Sequence, residues 1–347
     1  MRGKQTVDSF DVLYIELTGN CNLNCVHCGN EEENSKHLGF SHLERLLEEF
    51  NAGHGKKLVL TGGEPLLHPN IREILDVATS HNYNTKLSTN ASLLNHPRFA
   101  FVLDYDLGFR VSLDGTSEVH NKIRRNFQAY DSLIAAMEKI SERERQIVIR
   151  TTVMKPNVDS VVDMLFELGR LTKENRLKIY SDNIWPMRNI GKADAALMLS
   201  ATEYQKFLKD LNQRTRNFHP SFKIIVGPTF GFESEFEGGP IQSNQIYKCD
   251  IINASLHIAH NGDIYPCSFI HHPLGNIAET SLSEVFRSEK SVQFRKIFLD
   301  RSNHDCDDCT VYEACQAGCI AERYRELFKP NRQPIKDAYC FREGSCE

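Results

Sequence analysis

The sequence lacks any run of about 18 apolar residues, the length that a transmembrane helix needs. Its first residues contain no apolar core of the kind that a secretory signal has, so we expect a cytoplasmic protein without a membrane partner. It has no surplus of basic residues either, because 41 Lys and Arg residues stand against 46 Asp and Glu residues, for a net charge of −5. This balance argues against a nucleic-acid partner.

Cysteine is absent from residues 29–248, yet the 347-residue chain contains 11 cysteines. Three of them lie near the start, and the other eight follow from residue 249 onward. Disulfides are disfavoured in a cytoplasmic chain of this size, so metal binding or catalysis is the expected role of these thiols. A long cysteine-free stretch between two groups of cysteines predicts two metal regions on two structural units.

The first two-thirds of the chain alternates short β-rich runs with stretches that have the hydrophobic period of an α-helix. A succession of β-then-α units predicts a parallel sheet with right-handed crossovers. The predicted strands are residues 12–17, 57–61, 85–89, 108–113, 147–153 and 177–181. The predicted helices are residues 40–50, 70–81, 130–144, 157–171 and 201–218.

The length of this region decides between a closed and an open barrel. A closed barrel of eight units takes about 250 residues, whereas only about 200 residues hold six units here. The predicted fold class is α/β, an open, partial (β/α)6 TIM-like barrel, with a doubly wound sheet as the alternative. Near residue 220 the composition shifts to Gly, Pro, Ser and aromatic residues. This shift separates a first domain, residues 1–219, from a small Cys-rich α+β domain, residues 220–347, in which Asn261 and Gly262 predict a β-hairpin.

The first three cysteines, Cys21, Cys25 and Cys28, form a Cys-x3-Cys-x2-Cys pattern in the loop that leaves the first predicted strand. Three thiolates can hold three corners of an iron–sulfur cubane and leave one iron open to another molecule. A structural zinc site is the alternative, but it needs a fourth ligand. His27 is adjacent to Cys28 and awkwardly placed for that role, so it is predicted to be a loop histidine.

The segment LTGNCNLNCVHC around these cysteines resembles the signature of the radical SAM superfamily. The resemblance implies that Cys21, Cys25 and Cys28 hold a [4Fe–4S] cluster that binds S-adenosylmethionine (SAM). Four further segments match the family in order: LTGGEP resembles the motif that receives the SAM amino group, LSTNA and VSLDG resemble ribose-contacting segments, and HNKIRR resembles a segment whose arginine approaches the SAM carboxylate. The SAM-binding residues that the resemblance implies are Gly62, Gly63, Glu64, Ser88, Asn90, Ser112, Asp114 and Arg124.

The placement of these segments agrees with elementary chemistry. The first three follow the C-terminal ends of consecutive predicted strands, where α/β barrels assemble their sites, and the HNKIRR segment lies shortly after them. Glycines allow close backbone approach to a ligand, and the carboxylate of Glu64 suits an ammonium group. Each motif alone is weak, but their joint order makes the prediction strong.

The later cysteines resemble the seven-cysteine SPASM extension of radical SAM enzymes, which carries two auxiliary [4Fe–4S] clusters. A pair of zinc-ribbon-like sites is the alternative. The resemblance implies two ligand sets: Cys306, Cys309, Cys315 and Cys340 in one, and Cys249, Cys267 and Cys319 in the other. With the N-terminal cluster, three [4Fe–4S] clusters are expected.

The second auxiliary set has only three cysteines, so its fourth position is left open or is closed by Cys346, Asp250 or His257. Cys346 has two further interpretations. It could be a catalytic hydrogen-atom donor to a product radical, a role that a cysteine has in peptide epimerases of this superfamily, or an idle thiol near the chain end.

The resemblance implies reductive cleavage of SAM to a 5′-deoxyadenosyl radical, which abstracts a hydrogen atom from a substrate. A ribosomally made peptide, modified by crosslinking, thioether formation or epimerisation, is the first choice. Alternatives are formylglycine formation in a sulfatase, maturation of a small molecule or cofactor, and electron transfer without catalysis. An electron donor such as flavodoxin or ferredoxin is an expected partner. Many peptide maturases of this family carry an N-terminal leader-binding domain, but here the first predicted strand begins near residue 12. Either a separate protein recognises a leader peptide, or the substrate needs no such recognition. Predicted substrate contacts are Asp182, Trp185 and Arg188 after the sixth strand, and the loop 230–239.

Overall fold

The structure is a computed structural model that describes residues 10–30, 36–81, 83–191, 193–230, 236, 239–243, 255–299, 306, 309–315, 318–319, 321 and 337–340. The predicted ligands Cys249 and Cys346, the alternative ligand Asp250 and most of the loop 230–239 lie outside the described residues. No helix in the described part of the chain is long and apolar enough to cross a membrane.

The elements of the described residues are bounded as follows. The strands are β1 (Val12–Glu16), β2 (Lys57–Thr61), β3 (Asn84–Thr89), β4 (Gly108–Ser112), β5 (Ile147–Val153), β6 (Ile179–Pro186), β7 (Lys223–Val226), β8 (Ile241–Ser243), β9 (Ser255–Ile258), β10 (Asp263–Tyr265) and β11 (Gly275–Asn276). The helices are α1 (Phe40–Ala52), α2 (Ile71–Ser80), α3 (Ser117–Arg124), α4 (Ala129–Glu142), α5 (Val161–Lys173), α6 (Ala201–Thr215), α7 (Leu282–Arg287), α8 (Glu289–Leu299) and α9 (Tyr312–Cys315).

All strands belong to one sheet, in the order β11-β10-β9-β1-β2-β3-β4-β5-β6-β7-β8. Strands β1 to β8 pair in sequential order and in parallel, and β9 pairs in parallel with the free side of β1. This confirms the predicted α/β class. A doubly wound sheet is excluded, because it requires a reversal of strand order that β1 to β6 do not show.

Strands that precede residue 220 in the sequence and strands that follow it belong to the same sheet. The predicted hairpin at Asn261–Gly262 is confirmed, since β9 and β10 pair antiparallel across it. Strands β7 and β8 extend the sheet beyond β6, and β9 to β11 extend it beyond β1. The domain boundary at residue 220 stays a prediction, and strands from both sides of it share one sheet.

Two predicted bounds are wrong and one helix is missing from the prediction, each for a local reason. The sixth strand runs to Pro186 rather than 181, because polar residues such as Asp182 interrupt its apolar run without interrupting the strand. The helix predicted over 157–171 begins at Val161, since residues 155–160 form turns. Helix α3 was not predicted as a helix, because its sequence SEVHNKIR is mostly polar.

The two faces of the parallel sheet differ in character. In β1 and β4 every second residue is buried, and Leu13, Ile15, Phe109 and Val111 pack into one apolar core with the helices. Most of the alternate residues of β1, β3, β4 and β5 are half-buried, and several of them are polar or charged. We call this second surface the inner face. It carries Tyr14, Glu16, Lys86, Ser88, Arg110, Ser112, Arg150 and Thr152.

Candidate active site

The loop with Cys21, Cys25 and Cys28 follows β1 and is fastened to the rest of the fold by its backbone. The Val26 N–H donates to the Ile123 carbonyl in α3 at 3.0 Å, and the Cys28 N–H donates to the Cys25 carbonyl at 3.3 Å. Cys21 is exposed, while Cys25 and Cys28 are half-buried. The loop therefore presents one accessible thiol and two recessed ones at the C-terminal edge of the sheet.

The protein environment disfavours bare thiolates in this loop. The pKa of Cys21 is raised to about 11, mainly by burial and also by the charges of Glu64, Cys25 and Cys28, although the Leu23 N–H opposes the shift. Burial also raises the pKa of Cys25, although Arg124 opposes this shift. Bound iron would supply the positive charge that three neighbouring thiolates need, since metal binding stabilises the deprotonated thiol.

Among the described residues, no three His, Cys, Asp or Glu side chains converge on a single metal ion. A cubane does not require such convergence, because each cysteine binds a different iron atom. The all-thiolate donor set therefore fits the predicted cluster.

Gly62 and Gly63 bring the end of β2 against the cysteine loop. The Gly63 N–H donates to the Thr18 carbonyl at 2.8 Å, and the Glu64 N–H donates to the Asn20 carbonyl at 2.7 Å. A Cβ atom on Gly63 would lie 2.2 Å from the Asn20 carbonyl oxygen, and Gly62 has a φ of +144°. These glycines are needed for close approach to the backbone that carries Cys21.

Glu64 is fully buried and ties the ends of β2 and β3 together. Its carboxylate accepts hydrogen bonds from the Thr89 hydroxyl at 2.7 Å, the Asn90 N–H at 2.9 Å and the Leu66 N–H at 3.3 Å. Burial raises its pKa to about 7 despite these three donors. The side chain of Asn90 in turn donates to Asn22 in the cysteine loop at 2.9 Å. Glu64 and Asn90 thus lie together at the loop, as predicted for one site.

Glu64→Gln is expected to weaken SAM binding roughly tenfold to a hundredfold, the range for a lost charge-assisted hydrogen bond. The amide keeps the size of the side chain but lacks its charge and places a donor against the donors of Thr89 and Asn90. Equilibrium dialysis of SAM against the iron-loaded protein measures the effect. Glu118→Gln, at an exposed position of α3, is the control. An unchanged SAM affinity with intact cluster absorbance would remove Glu64 from the site.

Asp114 and Arg124 form a buried ion pair that reaches the cysteine loop. Arg124 Nη2 donates to Asp114 Oδ2, and Arg124 Nη1 lies 3.5 Å from the Cys25 sulfur. Burial opposes ionisation of Asp114, but Arg124, His27 and His120 hold its pKa below the usual range. Arg124 Nε is buried and has no partner among the described residues. This unpartnered donor, next to the loop that would hold the cluster, suits a carboxylate such as that of SAM.

Two of the predicted ribose-contacting residues, Ser88 and Ser112, lie on the inner face. The strand register places Ser88 beside Arg110 and Ser112 beside Arg150. Asp114, also predicted to contact the ribose, is instead committed to Arg124 and to the Thr152 N–H at 3.1 Å. Sequence motifs did not indicate this commitment, because the partners of Asp114 come from β5 and α3.

His257, an alternative fourth ligand in the prediction, contacts Glu16 and Tyr14. Its Nε2 lies 2.9 Å from Glu16 Oε1, and its ring stacks on Tyr14 with centroids 6.5 Å apart. His260 Nδ1 lies 3.3 Å from the other Glu16 oxygen. Both histidines line a cavity of about 310 Å³ between the cysteine loop and the β9–β10 hairpin. His257 and His260 therefore both contact the Glu16 carboxylate at this cavity.

The later cysteines influence one another in two sets. Burial raises the pKa of Cys315 to about 12, with further contributions from Cys340 and Cys306. Burial raises the pKa of Cys267 to about 12 as well, and Cys319 adds to that shift. The structure therefore brings Cys315 near Cys340 and Cys306, and Cys267 near Cys319.

Asp337 was missed by sequence reasoning, and it joins the later cysteines to the sheet. Its two carboxylate oxygens receive Arg188 Nη1 at 2.8 Å and Nη2 at 3.0 Å. One oxygen also accepts the Cys319 N–H at 2.7 Å, and the Asp337 carbonyl accepts the Cys340 N–H at 2.9 Å. Arg188, predicted to contact substrate, is thus paired with Asp337. No local pattern marks this pair, because 149 residues separate its members.

Comparisons with known proteins match two parts of the chain to family models. Residues 15–168 match the family model of the radical SAM superfamily, and residues 249–310 match that of the SPASM iron–sulfur cluster-binding domain. The AdoMet-dependent heme synthase of Methanosarcina barkeri is 26% identical over 89% of this chain and 90% of its own length. The mycofactocin maturase MftC of Mycolicibacterium smegmatis is 27% identical over 89% of this chain and 78% of its own length.

The comparison with solved structures concerns the fold. The crystal structure of Streptococcus suis SuiB bound to its precursor peptide SuiA superposes with a TM-score of 0.76 and 16% identity, over 96% of this chain and 76% of that one. A likeness at this identity shows the fold, and the two family models add the cluster-binding regions. Residues 15–168 of the chain are therefore assigned to a radical SAM domain, and residues 249–310 to a SPASM iron–sulfur cluster-binding domain.

Proposed function

We propose that the protein is a peptide-modifying enzyme that cleaves SAM at a cluster held by Cys21, Cys25 and Cys28. The observation that carries the proposal is the contact of the buried Asp114–Arg124 pair with Cys25, at the C-terminal edge of the parallel sheet. The peptide is proposed because MftC is named a maturase and SuiB is described with a precursor peptide.

The chain's own residues bind and orient the reactants. When bound, the cluster and SAM supply a radical that removes a hydrogen atom from the substrate. Arg124 would hold the SAM carboxylate through its unpartnered Nε, while Asp114 fixes the guanidinium in place. Glu64 would hold the SAM ammonium near the loop and keeps Asn90 beside it. The half-buried inner face limits access of water to the reacting groups.

The proposal includes three clusters and two kinds of protein partner. Cys306, Cys309, Cys315 and Cys340 would hold one auxiliary cluster, and Cys249, Cys267 and Cys319 the other. The mutual effects of Cys315 with Cys340 and of Cys267 with Cys319 support this division. A flavodoxin or ferredoxin would donate electrons, and a separate protein would recognise a leader peptide. Cys346 stays a candidate fourth ligand or hydrogen-atom donor.

The test is product formation by anaerobically reconstituted, chemically reduced protein. It is expected to convert SAM to 5′-deoxyadenosine and methionine in equal amounts, measured by chromatography. Peptides encoded by small open reading frames beside the gene are then added and analysed by mass spectrometry for a loss of hydrogen or a new crosslink. Absence of 5′-deoxyadenosine from protein with a full complement of iron would contradict the proposal. Cleavage of SAM without modification of any such peptide would contradict its peptide substrate.

A further inference from the structure

Three cations lie on the inner face of neighbouring strands. Lys86 is on β3, Arg110 on β4 and Arg150 on β5, and all three are half-buried. The register sets Arg110 beside Ser88 and Arg150 beside Ser112, so the cations run diagonally across the sheet. We call Lys86, Arg110 and Arg150 the cationic strip. It adjoins the serines that are predicted to contact SAM.

No ion pair or side-chain hydrogen bond joins the cationic strip to another residue in the described part of the chain. The acidic groups of this region are engaged elsewhere: Asp114 pairs with Arg124, and Glu16 pairs with His257 and His260. Asp182 accepts a hydrogen bond from the Thr151 hydroxyl at 3.0 Å, and burial raises its pKa to about 7. Among the described residues, the charge of Asp182 acts on Arg150, but no carboxylate forms an ion pair with any of the three cations.

Neighbouring positive charges also lower the pKa values of Lys86 and Arg150. Burial lowers the pKa of Lys86 to about 8, with Lys57 and Arg110 adding to the shift. Burial lowers the pKa of Arg150 to about 9, with Arg110 adding to it and with Tyr14 and Asp182 opposing it. Crowded like charges in a half-buried site cost free energy, and a bound anion offsets that cost.

Two aromatic rings and several donors complete the surroundings of the strip. The Arg110 guanidinium carbon lies 5.6 Å from the centre of the Tyr14 ring, and that of Arg150 lies 5.8 Å from the Trp185 ring. Trp185 Nε1 is buried without a partner among the described residues. At these distances the rings attract the guanidinium groups through cation–π interactions, which favour the positions that the groups occupy here. The site thus offers an excess of donors and fixed positive charge.

We propose that the cationic strip binds a carboxylate group of the substrate. Guanidinium groups pair bidentately with carboxylates, and Lys86 adds a point charge beside them. In a peptide that carboxylate is either the chain terminus or an acidic side chain. This proposal rests on the proposed function in one respect: the peptide substrate binds at the inner face next to SAM.

The single tryptophan of the chain makes the strip directly observable. The reconstituted protein, saturated with SAM, is titrated with N-acetyl-trialanine carrying either a free C-terminal carboxylate or a C-terminal amide, while Trp185 fluorescence is followed. The carboxylate form is expected to bind roughly tenfold to a hundredfold more tightly. N-acetyl-Ala-Glu-Ala amide tests a side-chain carboxylate, and inorganic phosphate tests a different oxyanion.

Substitutions assign any selectivity to the strip. Arg110→Gln and Arg150→Gln are expected to remove most of the difference between carboxylate and amide, whereas Arg150→Lys retains part of it. Arg143→Gln, which breaks an exposed pair with Asp104, is the control and should retain the whole difference. Intact cluster absorbance and SAM affinity show that the variants are folded, and Lys86→Met provides a further variant of the strip.

Three results would overturn the proposal. The first is that neither carboxylate probe, N-acetyl-trialanine acid or N-acetyl-Ala-Glu-Ala amide, binds the unaltered protein more tightly than N-acetyl-trialanine amide does. The second is tighter binding of phosphate than of either carboxylate probe. The third is loss of SAM affinity in the strip variants with unchanged probe binding. Measurement of 5′-deoxyadenosine in the same samples separates the two proposals. Carboxylate selectivity without SAM cleavage contradicts only the proposed function, and SAM cleavage without selectivity contradicts only the carboxylate site.

Discussion

Replacing Cys21, Cys25 and Cys28 together with alanine is expected to abolish 5′-deoxyadenosine formation, because the cluster proposed to cleave SAM would lose all three of its cysteine ligands. The reconstituted variant should also lose about a third of its iron, as three clusters hold on the order of 12 irons. Cys21 is exposed and the other two thiols are half-buried, so their removal leaves little cavity in the core. Iron and product are measured on the same anaerobic sample.

Asn24→Ala is the matched control for this triple variant. Asn24 lies in the same loop and is exposed, so its replacement should leave iron and product unchanged. Full iron and normal product in the triple variant would show that the cluster is held elsewhere. Tightly bound zinc with almost no sulfide in the unaltered protein would favour the zinc alternative.

The strands of the parallel sheet are predicted well where each strand has its own short run of apolar residues. Strands β1 to β5 were found within one residue at each end, because their buried residues recur within a few positions. Strand β7 was missed, since its short KIIV run precedes a Gly-Pro pair and resembles a loop. Helix α3 is not predicted because its sequence is mostly polar. Ile123 and Arg124 are buried through contacts with other elements of the fold.

Motifs located the segments of the site but not the partners of their side chains. Glu64 was predicted from its glycines to face SAM, yet the bonds of its carboxylate to Thr89 and Asn90 depend on how β2 and β3 end side by side. Likewise the Asp114–Arg124 pair requires α3 to return across the end of β4. Such contacts arise from tertiary structure, so residue types and spacing alone do not reveal them.

The Arg188–Asp337 pair shows what a contact of this kind contributes. Arg188 is 6% exposed and Asp337 is fully buried, and the Arg188 guanidinium also lies 4.9 Å from the Tyr339 ring. Because the carboxylate of Asp337 binds the Cys319 N–H and its carbonyl binds the Cys340 N–H, the pair holds one member of each predicted auxiliary set. Through Arg188, the ion pair connects Cys319 and Cys340 to the segment that follows β6.

Asp337→Asn is therefore expected to destabilise the protein by about 3–5 kcal/mol, the cost of leaving one partner of a buried ion pair without its counter-charge. Because Asn has one acceptor oxygen, it cannot serve both guanidinium nitrogens and the Cys319 N–H, so auxiliary iron should also be lost. Urea unfolding and iron content measure the two effects. Asp104→Asn, which breaks the exposed Arg143–Asp104 pair, should cost only about 0–1 kcal/mol. Replacing Arg188 and Asp337 together with leucine should recover stability but not auxiliary iron, and recovery of both would show that the pair only fills space.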